Sequence, residues 1–148
     1  MTQLFQNLFA YNYQINQALG DRFKSYDYQL DPEIIRLANH LLNAHQIWLD
    51  RIDGRSSLKS PWDDFPIETF AFRNQELHSR TMELPESRDL EEIISFKTFA
   101  GIRFEKKLSD ILIHVVNHST YHRGQLALLM RGHGLEPVSS DYIHWATI

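Results

Sequence analysis

There is no cysteine in this 148-residue chain. Disulfides, thiolate metal ligands and a cysteine nucleophile are therefore excluded, and any metal ion must be held by nitrogen or oxygen. No apolar run approaches the roughly 18 residues that a membrane-spanning helix requires. Lysine and arginine nowhere form a run in the sequence, and 15 of them stand against 19 aspartates and glutamates, for a formal net charge of -4. That balance lacks the basic footprint of a nucleic-acid binder. The first nine residues have neither the basic start nor the small-residue cleavage site of a secretory signal. The expectation is a soluble, cytoplasmic protein with no nucleic-acid or membrane partner. Internal repeats, low-complexity stretches and linkers are missing too, so residues 1–148 read as one domain long enough to bury a core.

What is present is helical patterning. Residues 3–19 carry Leu4, Phe5, Leu8, Phe9, Ile15 and Leu19 at three-to-four spacing, and Gly20 stands where a helix would stop. Asp31 and Pro32 open a second helix as N-cap and first helical residue. Its stripe of Ile34, Leu37, Ala38, Leu41, Ala44, Trp48 and Ile52 ends before Gly54. A loop follows to Pro66, then a weaker helical pattern from about Ile67 to Met82, ended by Pro85. Between Ile94 and Glu105, apolar and polar residues alternate on both sides of Ala100-Gly101, which predicts a small β-hairpin. The last long helix runs from about Leu108 to Arg131, closed by Gly132 and Gly134, and the aromatic tail beyond it is read as irregular chain packed back on the bundle. The predicted fold is all-α, a four-helix bundle with a small β-hairpin inserted before the last long helix.

Eight histidines are present, and they cluster. His114, His118 and His122 fall at i, i+4 and i+8, along one face of the last helix, so two neighbours could chelate one metal ion. The plainer reading is of partly exposed or hydrogen-bonded histidines on a long helix. A catalytic centre of the zinc type needs a third protein ligand. The candidates to supply it are His40, His45, His78, His114, His133 and His144, besides carboxylates. On the second helix, periodicity puts His45 near the centre of the apolar stripe and His40 at its edge. Because a histidine at a stripe's centre is more often a hydrogen-bonded core residue, the helical wheel leaves the choice open.

Three stretches carry a resemblance to a known family: Leu8-Phe-Ala-Tyr11-Asn12, then Asn39-His40 through Trp48 to Arg51, then Asn117-His118-Ser-Thr-Tyr-His122-Arg123-Gly124-Gln125. With Gly134, Pro137 and Asp141-Tyr142 in the tail, the chain resembles, over nearly its whole length, the DinB family of metalloenzymes related to the YfiT-type thiol transferases. The resemblance implies a four-helix bundle of unusual connection order, often a homodimer, with metal ligands His40, His118 and His122. It demotes His45 to a supporting or substrate-side position. It also implies transfer of a small-molecule thiol to an electrophile, with metal-assisted hydrolysis or non-catalytic metal binding in a stress response as alternatives.

Three neutral imidazoles leave the whole charge of a divalent ion uncompensated, which would lower the pKa of bound water to about 7 or favour a bound thiolate. Nitrogen ligands suit zinc or nickel, and equally copper or iron. Asn117, Gln125 and Asp141 are candidates to orient the ligating rings. Tyr11 and Asn12 are candidates for the open face of the site. Arg123 reads as structural, paired with Asp141 or with helix-end carbonyls. Gly124, costing about 1 kcal/mol against alanine within a helix, reads as a place of close approach. His114 reads as structural, His78, His133 and His144 as surface or loop residues, and Trp48 and Trp62 as core or pocket wall.

Overall fold

A computed structural model describes residues 2–146. Four long helices make up the body: α1 (Thr2–Ser25), α2 (Pro32–Ile52), α3 (Phe70–Ser87) and α4 (Leu108–Gly132). A single 3-10 turn at Ile67–Thr69 leads into α3, and the hairpin β1 (Ile93–Lys97) and β2 (Arg103–Lys107) precedes α4. A one-turn helix, α5 (Tyr142–Trp145), lies in the tail read from sequence as irregular. No helix among the described residues is long and apolar enough to cross a membrane.

The local signals explain most of these bounds. Asp31 accepts from the Glu33 amide at 2.9 Å, satisfying one orphan donor, and Pro32 takes the first helical position, where its missing N–H costs nothing. The hairpin pairs Phe96 with Phe104 and Ile93 with Lys107, and its last strand runs straight into α4. Gly101 has φ +81°, the left-handed geometry its turn requires.

Around the bundle, α1 packs on α3, α3 on α2, α2 on α4 and α4 back on α1. The sequence neighbours α1 and α2 therefore sit diagonally. Phe9, Phe23, Phe70, Ile34, Leu41, Leu42, Ile111, Leu112, Leu126 and Met130 fill the centre, each fully buried. This pairing puts the middle of α2 against α4, and so fixes which side chains of the two helices can meet.

Two helix ends differ from the sequence reading. Gly20 lies inside α1 rather than after it, and α1 continues to Ser25 because Phe23 extends the buried stripe by another turn. The glycine is there for space: a Cβ at position 20 would stand 3.2 Å from the Cβ of Ala71 on α3. Pro85 lies in the last turn of α3 rather than beyond it. Only one backbone donor is lost that close to the C-cap, Arg88, whose amide still reaches the Leu84 carbonyl at 3.0 Å.

Candidate metal centre

Helix α4 supplies two of the imidazoles and α2 the third. His118 and His122, one turn apart, bring their Nε2 atoms to 3.1 Å, and His40 Nε2 lies 3.2 Å from His122 Nε2. Two ligand atoms at about 2.0–2.1 Å from one ion in tetrahedral arrangement are separated by about 3.3 Å. Both spacings are those of a ligand set. Among the described residues, His40, His118 and His122 are one of two groups with ligand atoms all within 4.8 Å of each other, and the other, Asp31, Glu33 and His133, lies at the surface.

The acceptors behind two of the rings favour one tautomer of each neutral imidazole. His40 Nδ1 stands 3.0 Å from the Pro61 carbonyl, which can only accept, so Nδ1 carries the proton and Nε2 a lone pair. His122 Nδ1 faces Gln125 Oε1 at 2.7 Å and, with the amide so oriented, is likewise the protonated nitrogen. Two lone pairs thus point at each other across 3.2 Å with no proton between them. Such an arrangement is repulsive in the bare protein and is relieved by a cation bound to both.

Electrostatics keeps the His118 and His40 rings in ligating form. Burial, then the neighbouring His122, His40 and His114, holds His118 at a pKa of about 4. Burial lowers His40 as well, against the opposing bond to Pro61. Neutral imidazole is the metal-binding species.

The loop between α2 and α3 completes the His40 side. Trp62 stacks on the His40 ring at 3.8 Å between centroids and 13° between planes, and also lies against Arg36 one turn earlier on α2. The loop itself is held by buried amides. Asn43 donates to the carbonyls of Pro61 (3.2 Å) and Asp63 (2.8 Å), and Asn39 donates to that of Phe65. Arg73 of α3 in turn donates to both asparagine side chains, with its guanidinium 3.7 Å from the Phe65 ring centroid.

Several residues singled out from the sequence lie elsewhere. His45 is five positions after His40, about 140° around the helix, and packs against Phe9 with Nε2 donating to Thr81 at 2.8 Å. Burial pushes its pKa down to about 3. Tyr11 and Asn12 do not line the open face: the Tyr11 hydroxyl donates to the Ser140 carbonyl, and Asn12 accepts from Arg123 at 2.5 Å. Arg123 is structural as expected, but its acceptors are Asn12, Asn16 and Thr120 rather than Asp141. One position beyond His122, it points into the seam between α4 and α1. Of the three polar candidates to orient the rings, Gln125 does so, while Asn117 and Asp141 are exposed.

Gly124 is not a close-approach site, since a Cβ there would meet nothing within 4 Å among the described residues. His114 packs edge-on against Trp48 at 5.0 Å, outside the cluster. His78 stacks on Tyr13 at 4.2 Å rather than standing free. The Pro61 carbonyl and the Trp62 cover carried no sequence signal, because a loop's backbone oxygen is invisible to residue spacing.

Known proteins share this chain's sequence pattern and fold. The chain is 23% identical to the protein DinB of Bacillus subtilis (strain 168) over 160 residues, covering 96% of this chain and 93% of that one. A crystal structure of a DinB-like protein from Bacillus cereus ATCC 10987 superposes with a TM-score of 0.67 at 23% identity, covering 91% of this chain and 94% of that one, and so shares its fold. The sequence profile of the DinB family matches residues 6–147, nearly the whole length, and the chain belongs to that family.

Proposed function

We propose that this protein is a divalent-metal enzyme in which His40, His118 and His122 hold the ion and a small-molecule thiol is transferred to an electrophile. The observation that carries the metal assignment is the pair of facing lone pairs on His40 and His122, each fixed by an acceptor behind the ring. The thiol chemistry is supported by the family resemblance and by the donor set. A divalent ion in this setting supplies Lewis acidity with no ligand carboxylate to offset its charge, which favours the ionised form of a thiol.

The chain's own residues do the rest. Pro61 and Gln125 lock the rings of His40 and His122, so that no reorganisation is needed on binding. Trp62 shields the His40 side from water, while His118 and His122 are only half-buried and leave a side open for substrate. Three protein ligands leave one tetrahedral position free, the mark of a catalytic rather than a closed structural site. This favours an enzyme over a protein in which the ion only ties α2 to α4.

The test combines metal analysis of protein purified without a polyhistidine tag with a panel of low-molecular-weight thiols and an electrophilic acceptor, with and without chelator. A stoichiometric divalent ion and chelator-sensitive turnover are expected, and His40→Ala should abolish turnover in a protein that still folds. Metal-loaded protein inactive with every thiol would reduce the assignment to metal binding alone, and metal-free protein would overturn it entirely.

A further inference from the structure

A cavity of about 530 Å³ lies at the other end of α2, between the last turn of that helix, residues 54–58 and the β-hairpin. Its size is that of a small-molecule site. From His40 to Arg51 is eleven residues, about 16 Å along the helix axis, so the cavity is distinct from the histidine cluster.

Its lining is cationic in a way the sequence does not announce. Arg51, Lys97 and Arg103 come from separate segments and converge on it. Among the described residues, none of the three has a carboxylate within ion-pair distance. The one acid in the wall, Asp50, is buried and already answered by Arg55 at 3.3 Å and Arg80 at 3.0 Å, with Ser57 donating to its second oxygen. It therefore does not neutralise the other three.

Arg51 is held in a particular way. Its guanidinium lies over the rings of Trp48, Phe96 and Phe99, at 4.5, 5.1 and 5.9 Å from their centroids. Stacking fixes the plane of the group but takes up none of its in-plane N–H donors, which suit a phosphate or carboxylate. Phe99, at the turn of the hairpin, is 54% exposed at the cavity wall and, with Arg51 only at the edge of contact, leaves an open apolar surface there.

We propose that this cavity binds a small polyanion with a flat apolar body, the phosphate or carboxylate groups meeting Arg51, Lys97 and Arg103 and the body lying against Phe99. The site needs neither the metal ion nor the histidine cluster.

Calorimetric titration at low ionic strength tests this, with phenyl phosphate and phthalate as probes, benzyl alcohol as the uncharged control, and protein with and without chelator. At least one anion should saturate a single site and benzyl alcohol should not; the two anions distinguish a phosphate from a carboxylate ligand. Arg51→Met keeps the packing over the rings but removes the charge, and should weaken binding about tenfold or more. The doubly substituted Lys97→Glu, Arg103→Glu protein, altered only on the exposed hairpin, should do the same with an unchanged melting temperature. The proposal is overturned if neither anion saturates folded wild-type protein at millimolar concentration. It is equally overturned if both variants bind as wild type does, or if chelation abolishes binding, which would move the anion to the metal centre.

Discussion

His40 and His45 share a helix, yet their surroundings give them opposite work. His40 has an acceptor behind it and a lone pair in front, the electronic state of a ligand. His45 donates Nε2–H to Thr81, whose own hydroxyl is spent on the Leu77 carbonyl, and its Nδ1 is buried with no partner among the described residues. With its pKa down to about 3, the folded protein refuses a proton that the unfolded chain takes up below about pH 6.5. The unfolded state therefore binds more protons in the window from about 6.5 down to about 3, and stability falls as pH falls through it. Between pH 7 and pH 5 this one site should cost about 2 kcal/mol. His45→Leu should remove that share of the acid sensitivity, while His40 and His118, also lowered, keep theirs. Denaturant titrations of both proteins at pH 7 and pH 5, in chelator, would check it, and identical pH slopes would refute it.

At the scale of elements, the candidate metal centre depends on a loop as much as on two helices. Asn43 is fully buried on α2, and its amide holds the carbonyls of Pro61 and Asp63, so it fixes both the acceptor behind His40 and the backbone that carries Trp62. Asn43→Ala would leave the Asp63 carbonyl and one Arg73 donor unpaired and the Pro61 carbonyl held by His40 alone, at a cost of about 1–3 kcal/mol. It should also weaken metal affinity, by about 10–100-fold if it acts as other groups behind a ligand do. Thermal melts and competition against a chromophoric chelator would measure the two effects separately. Loss of stability with unaltered metal affinity would show that the loop does not position His40.

Across the whole molecule, one ion would bridge α2 and α4, neighbours in space separated in sequence by α3 and the hairpin. An ion bound only by the folded state stabilises it by about 2.7 kcal/mol at a hundredfold excess over its dissociation constant. For a chain of this length that corresponds to a melting temperature higher by about 5–10 °C. Chelation should reverse the shift, and His40→Ala should show little of it; a melting temperature indifferent to chelator would remove the bridge. The same packing closes the hairpin over the end of α2 and gathers cations scattered along the chain into one cavity. A sequence with no basic run thus folds into a molecule with a basic pocket.

What was legible in the chain alone is what short-range geometry governs. The i, i+4 spacing of His114, His118 and His122 on a helix already allows neighbouring rings to meet, and the lack of cysteine dictates nitrogen or oxygen ligands. The cap at Asp31 and the alternation around Gly101 announced a helix start and a hairpin for the same reason. Helix ends were less legible, because burial of Phe23 in α1 and of Leu84 and Pro85 in α3 outweighs local stop signals. Periodicity alone left His40 and His45 open and the resemblance named His40; the physical reason lay in the tertiary structure, where the rotation of α2 against α4 decides which one faces His122. The Pro61 acceptor, the Trp62 cover and the cationic cavity were decided there too, because each joins segments whose separation in sequence carries no record of their distance in space.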